Sequence, residues 1–156
     1  ELNGGVPVPS YVFEHIPVRQ INSILKEVPF GTENATFTPD GYKIVDPDKH
    51  MGGSFYEYPN PTGDETNRQY ESWVEKGDVV AAFFGHDHVN DYVVDWYGIL
   101  MGYGRFTGGK TVYHDIPGGN GARVIELTEG KRDIHTWIRI KGGKVLNEVM
   151  FPTDAE

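Results

Sequence analysis

Residues 78–84 constrain this chain more than any others. Asp78-Val79-Val80-Ala81-Ala82-Phe83-Phe84 is a continuous apolar run after a single acid. A strand with one solvated face alternates apolar and polar residues, whereas one covered on both faces stays apolar throughout, as in the parallel sheets of α/β proteins. The chain must therefore build layers on both sides of this strand. The next four residues, Gly85-His86-Asp87-His88, turn away at once. Ligands of open α/β sheets gather where strands end at their C-terminal side, so the two imidazoles leave the strand where chemistry is usually done.

The flanking pattern extends the α/β reading. Ser10-Tyr11-Val12-Phe13 reads as a short buried strand ending at Glu14-His15. Ile21, Ile24, Leu25 and Val28 follow helical spacing between Pro17 and Pro29, which predicts a helix there. Residues 29–62 hold Pro29, Pro39, Pro47, Pro59 and Pro61 and read as a long irregular connection or insertion. Asp64-Glu65 are expected to open a helix running to about Lys76, with Gly77 closing it. Beyond residue 91 the pattern turns to short strands and Gly-rich turns: Tyr92–Tyr97, Ile99–Tyr103, Thr111–Tyr113, Arg123–Leu127 and Ile134–Ile140. In the last, Ile134, Thr136, Ile138 and Ile140 share one face and His135, Trp137 and Arg139 the other. Gly142-Gly143 predicts a tight hairpin into Lys144-Val145-Leu146.

Composition excludes several classes. Asp and Glu outnumber Lys and Arg by 23 to 14, a net charge of −9, which disfavours nucleic acid as a partner. Cysteine is absent, which removes disulfides, thiolate metal sites and a cysteine nucleophile. No apolar run approaches the ~18 residues of a membrane span. Asn34-Ala35-Thr36 is a glycosylation sequon, informative only in a secreted eukaryotic protein. The opening Glu1-Leu2-Asn3-Gly4-Gly5 is not a signal peptide and does not read as a natural start, so an upstream segment is expected.

Two His at i and i+2 on a loop can be a plain turn with exposed side chains, and a lone His after a strand is commonly structural. Imidazole is nevertheless the usual nitrogen ligand for zinc, iron and manganese. Taken in order, Phe13-Glu14-His15-Ile16-Pro17 and Gly85-His86-Asp87-His88-Val89-Asn90-Asp91-Tyr92 resemble the last two motifs of the calcineurin-like metallophosphoesterases, in the purple acid phosphatase-like branch. Tyr103-Gly104-Arg105, Gly121–Leu127 and Thr136-Trp137-Ile138-Arg139 also resemble that branch, so the likeness runs from about residue 9 to 140.

The resemblance implies a fold and a chemistry. The fold is α/β: residues 1–156 would be a single, partial domain, the C-terminal half of a four-layer α/β/β/α sandwich with a mixed sheet followed by antiparallel strands. The family's site holds two metal ions (iron, zinc or manganese) bridged by a carboxylate and a hydroxide that attacks a phosphoric ester. His15 and His86 match ligands of the second metal and His88 a ligand of the first, while Asp87 occupies a variable position. No catalytic group is expected in this chain. The family's remaining ligands, in Asp-x-His, Gly-Asp and Asn-His motifs, should precede His15, yet only 14 residues do. Asp48-Lys49-His50, Gly63-Asp64 and Gly77-Asp78 mimic two of them in the wrong order and spacing, and no Asn-His pair occurs. The chain is therefore expected to be a fragment, apo or partly loaded with metal. Its partners would be a phosphorylated small molecule or other phosphoester and either its missing N-terminal half or a second copy of itself. The branch leans towards secreted or periplasmic enzymes. The competing expectation is a non-catalytic binding or structural domain that keeps the fold.

Lesser candidates have plainer readings. Asn90 and Asp91 are expected to cap the loop that carries them, or to orient His86 or His88. His114 can reach substrate or simply sit at the surface, and His50 and His135 read as surface residues. Tyr92, Trp96, Tyr97 and Tyr103 read as core or strand-pair aromatics. Without the upstream half, the strand at 78–84 is expected to expose an apolar face, so that the chain self-associates, swaps elements or retains that half non-covalently.

Overall fold

The computed structural model describes residues 4–61, 63–64, 66–108 and 116–152. In chain order the elements are β1 (Ser10–Phe13), α1 (Gln20–Ser23), β2 (Leu25–Glu27), β3 (Thr36–Thr38), β4 (Gly41–Val45), β5 (His50–Gly52), α2 (Gln69–Lys76), β6 (Val79–Phe84), β7 (Val93–Trp96), β8 (Ile99–Tyr103), β9 (Gly121–Leu127), β10 (Ile134–Ile140) and β11 (Val145–Phe151). The protein is α/β and mostly strand.

The apolar run forms β6, second in a five-stranded mixed sheet ordered β1-β6-β8-β7-β5. It pairs in parallel with β1 on one side and β8 on the other. Every β6 residue is buried. Ala82 and Phe84 pack into a core with Val18 and Ile21 beside α1 and Trp73 of α2. Ala81 and Phe83 pack into a second core with Ile134 of β10 and Val149 and Phe151 of β11. The sheet thus lies between helices and an antiparallel sheet ordered β11-β10-β9. This corrects the expected bare face at residues 78–84: β10 and β11 cover one side of the strand and the helices the other. Exposure falls instead on the outer strand β1, where Phe13 is 63% exposed and stacks on Phe83 at 5.8 Å.

Turn chemistry sets the register. Tyr97 and Gly98 both have positive φ, 52° and 86°, and join β7 to β8 as a two-residue turn whose twist suits paired strands. Gly142 and Gly143, at 95° and 97°, lie in the 141–144 connection between β10 and β11, which is closed by the Gly143 amide donating to the Ile140 carbonyl and the Ile140 amide to the Lys144 carbonyl, both at 2.9 Å. The predicted alternation along β10 holds, with Ile134, Thr136, Ile138 and Ile140 buried. Strand β11 runs well past the expected Leu146 to Phe151.

Three elements depart from expectation. The helix expected between Pro17 and Pro29 shrinks to Gln20–Ser23. Ile21 and Ile24 are buried as their spacing requires, but Leu25–Glu27 is extended because it pairs with β4, and Lys26 meets Asp46 at 2.6 Å. A partner strand overrides a weak helical preference. Residues 29–62 are less irregular than expected: β3 and β4 form a hairpin beside β2, and β5 pairs with β7. Helix α2 begins at Gln69 and not at Asp64, because the Asp64 carboxylate accepts bonds from the Thr66 amide and hydroxyl and so holds a turn. Gly77 closes the helix in the left-handed conformation, as expected. Glu65 and the strand expected at 111–113 lie outside the described residues.

On the outer face of the β9–β11 sheet, the His135 imidazole lies between two carboxylates, 3.0 Å from Glu126 and 2.7 Å from Glu148. The bond to Glu126, then that to Glu148, raises its pKa above 6.5. A folded pKa above the unfolded one gives stability that is complete below the unfolded value and is lost as pH rises through the folded value. The melting temperature should therefore fall as pH rises above about 6.5, and His135→Gln should reduce that fall, as differential scanning calorimetry would show.

Candidate functional site: a histidine pair at the ends of two parallel strands

β1 and β6 run side by side and end together. Their parallel hydrogen bonds continue past the strands, with the Glu14 amide donating to the Phe83 carbonyl at 3.1 Å and the Gly85 amide to the His15 carbonyl at 3.1 Å. On the other side, the Gly104 amide donates to the Phe84 carbonyl at 2.9 Å. The backbones carrying His15 and His86 are therefore locked to one another. Gly85 is not in the left-handed region, and a Cβ there would only touch His15 Nδ1 at 3.9 Å.

The result is a direct contact. His15 Nε2 and His86 Nδ1 are 3.1 Å apart, with ring centroids 4.9 Å apart at 79°. Two nitrogens each about 2.0–2.1 Å from one zinc-like ion lie about 3 Å apart when they are neighbouring ligands, so the pair fits a shared cation. The same spacing suits one hydrogen bond between neutral rings. Asn60 Nδ2 lies 3.5 Å from His86 Nε2. His88 is placed differently: its ring centroid is 6.3 Å from that of Phe106. The structure brings His15 and His86 together, and among the described residues no group of three or more His, Asp or Glu side chains is arranged to hold a metal ion. His114 lies outside the described residues. His50 Nε2 lies 3.1 Å from the Gly53 carbonyl oxygen.

Asn90 and Asp91 are almost wholly buried. Their side chains bond to residues 54–57 and not to their own loop, which corrects the expected local cap. Asn90 Oδ1 accepts from the Tyr56 and Glu57 amides at 2.9 and 3.0 Å, and its Nδ2 donates to the Glu57 carbonyl at 2.7 Å. Asp91 Oδ1 accepts from the Ser54 amide at 2.7 Å. Its Oδ2 accepts from Arg105 Nη1 at 2.7 Å, an ion pair 2% and 1% exposed. Asp87, between the two His, accepts from the Asn60 amide at 3.0 Å and the Tyr103 hydroxyl at 2.6 Å. Burial pushes the Asp87 carboxyl up, against the pull of those two donors.

Several contributors were not singled out from sequence. Arg105 also donates to the Gly119 and Pro117 carbonyls. Arg123 donates to the carbonyls of Tyr103 and Asp91, and burial lowers its guanidinium to about 10. Glu14 Oε2 accepts from Gln69 Nε2 at 2.7 Å, tying the end of β1 to the first turn of α2. Glu14, His15, Phe13, Arg105 and Arg123 border an open depression of about 460 Å3. Arginines following a strand and a Gly-rich turn were visible as a pattern, but their burial depends on Asp91, which sequence cannot pair with them.

Comparison with known proteins agrees with the motifs in part. Over 75 residues the chain is 45% identical to the protein described as "Probable inactive purple acid phosphatase 28" of Arabidopsis thaliana, a stretch covering 46% of this chain and 17% of that protein. The chain is thus a distant, partial relative of a purple acid phosphatase-like protein and spans a small fraction of its length. No family model matches the chain, and no solved structure is significantly similar to it.

Breaking the buried pair should be costly. Asp91→Ala leaves the Arg105 cation buried and unpaired, and is expected to lower unfolding stability by about 3–5 kcal/mol in urea denaturation. Asp48→Ala, at an exposed ion pair, should change it by less than about 1 kcal/mol.

Proposed function

We propose that this chain is the C-terminal part of a dinuclear-metal phosphoesterase domain, with His15, His86 and His88 among the metal ligands and with no catalytic acid or base of its own. The observation that carries this reading is the 3.1 Å approach of His15 Nε2 to His86 Nδ1 at the C-terminal ends of adjacent parallel strands. The partial likeness to a purple acid phosphatase-like protein supports the family, although that protein is itself described as inactive. A bound metal pair would polarise the phosphoryl group and activate water as the nucleophile. The role of this chain is to present His15 and His86 as neutral donors, which bind a cation without adding negative charge to repel a phosphate. The locked backbones at Glu14 and Gly85 hold those donors in place before any ligand arrives.

The rest of the domain would come from an upstream half, adding the remaining ligands and a further sheet and helix layer to complete the four-layer sandwich. The outer position of β1 and the exposed Phe13 ring support an extension of the sheet on that side. Residues 29–62 would then be an insertion between motifs.

A second reading has its own support. The Arabidopsis protein is described as inactive, and His15 and His86 stand without a third acidic or imidazole donor among the described residues. On that reading the domain keeps the fold and binds without catalysis. An assay on the complete protein separates the two. With added Zn2+ or Mn2+ it should hydrolyse a generic aryl phosphate, and His86→Ala should lower the rate at least 100-fold at unchanged melting temperature. Equal rates in the variant, or no hydrolysis by the complete protein with either metal, would favour the non-catalytic reading.

A further inference from the structure

The three polar residues that separate and follow the two histidines of the 85–91 turn all bond to one distant segment. Asp87, Asn90 and Asp91 are 3%, 0% and 1% exposed, and buried polar groups must find partners. They find them along residues 54–60: Asp91 takes the Ser54 amide, Asn90 takes the Tyr56 and Glu57 amides and the Glu57 carbonyl, and Asp87 takes the Asn60 amide. Thr36 adds a hydroxyl bond to the Phe55 carbonyl at 2.6 Å. A segment with little regular structure is thereby fixed at five residues, 54, 55, 56, 57 and 60. The last fixed residue, Asn60, has its side-chain amide 3.5 Å from His86 Nε2.

We infer that Asn60 is a positioning residue for His86, and that the buried Asp87-Asn90-Asp91 clamp exists to hold it there. The inference rests on the reading that His15 Nε2 and His86 Nδ1 share a metal ion. A ligating imidazole gives one nitrogen to the metal and donates the N–H of the other to an oxygen, which fixes its tautomer and its aim. His86 turns Nδ1 to His15 and Nε2 to Asn60. A half-turn of the Asn60 amide exchanges its oxygen and nitrogen without changing its shape, and the oxygen then accepts the Nε2 proton. That leaves the Nδ1 lone pair directed at the space shared with His15. Because Asp87 lies next to His86 in the chain, the imidazole and its partner are anchored to consecutive residues and move together. Asn60 itself is exposed, so its substitution should disturb the site and not the fold.

The test titrates the 156-residue chain with Zn2+ against a chromophoric chelator and reads the His86 tautomer by long-range 1H–15N NMR. The wild-type chain should bind Zn2+ with His86 protonated at Nε2. Asn60→Ala should weaken binding about 10- to 100-fold and lose the fixed tautomer, with the metal-free melting temperature unchanged. Asn60→Asp, which keeps an acceptor oxygen, should retain both. Wild-type affinity and tautomer in Asn60→Ala would overturn the inference while leaving the histidine site intact. Undiminished Zn2+ binding in His86→Ala, or none in the wild type, would overturn the shared-metal reading and this inference with it.

Discussion

The parallel pairing of β1 with β6 is the constraint on which the site depends. Parallel strands begin and end on the same sides, so a residue leaving β1 and one leaving β6 emerge together only if the register is held. Here it is held beyond the last strand residues by the bonds of Glu14 to Phe83 and of Gly85 to His15. The burial of β6 on both faces sets how firmly. Ala82 and Phe84 are caught in the helical layer's core, Ala81 and Phe83 in that of the β9–β11 sheet, so the strand cannot slip by one residue without sending each set to the opposite core. The 3.1 Å contact of His15 with His86 is a consequence of that register.

Behind the histidines lies a polar layer that an apolar core would not need. Asp91 pairs with Arg105 while Arg123 binds the Asp91 carbonyl, and Asp87 meets the Tyr103 hydroxyl, whose own proton is held tightly by burial. Such groups stabilise only when every partner is present. Their collective effect is to join three separate stretches, 54–60, 85–91 and 103–105, into one rigid wall. The loop bearing the histidines is therefore fixed from beneath as well as from its strand ends.

Much of this was legible in the sequence wherever one pattern admitted one structure. The apolar run could only be a doubly covered strand, the alternation from Ile134 to Ile140 only a half-buried one, and Gly142-Gly143 only a tight turn. His15 and His86 were legible as strand-end residues, and the family resemblance implied that they converge together with His88; the structure brings the first two into contact. Patterns with two solutions failed. The spacing of Ile21, Ile24 and Leu25 fits a helix or a short turn followed by a strand, and β4 decides between them. The partners of Asn90 and Asp91 on residues 54–57 lie 33 to 37 positions away, beyond any local rule, so both residues read as caps of their own loop. The bared face expected on β6 assumed that only an upstream half could cover it, whereas the chain's own β10 and β11 do so.

The central claim is that two imidazoles, delivered by adjacent parallel strands, form one cation-binding edge. Anomalous diffraction from a crystal of the 156-residue chain soaked in Zn2+ tests it most directly. A zinc peak is expected about 2.0–2.1 Å from both His15 Nε2 and His86 Nδ1. Zinc peaks elsewhere with none at the pair, or imidazoles turned away from one another with β1 and β6 still in register, would contradict it.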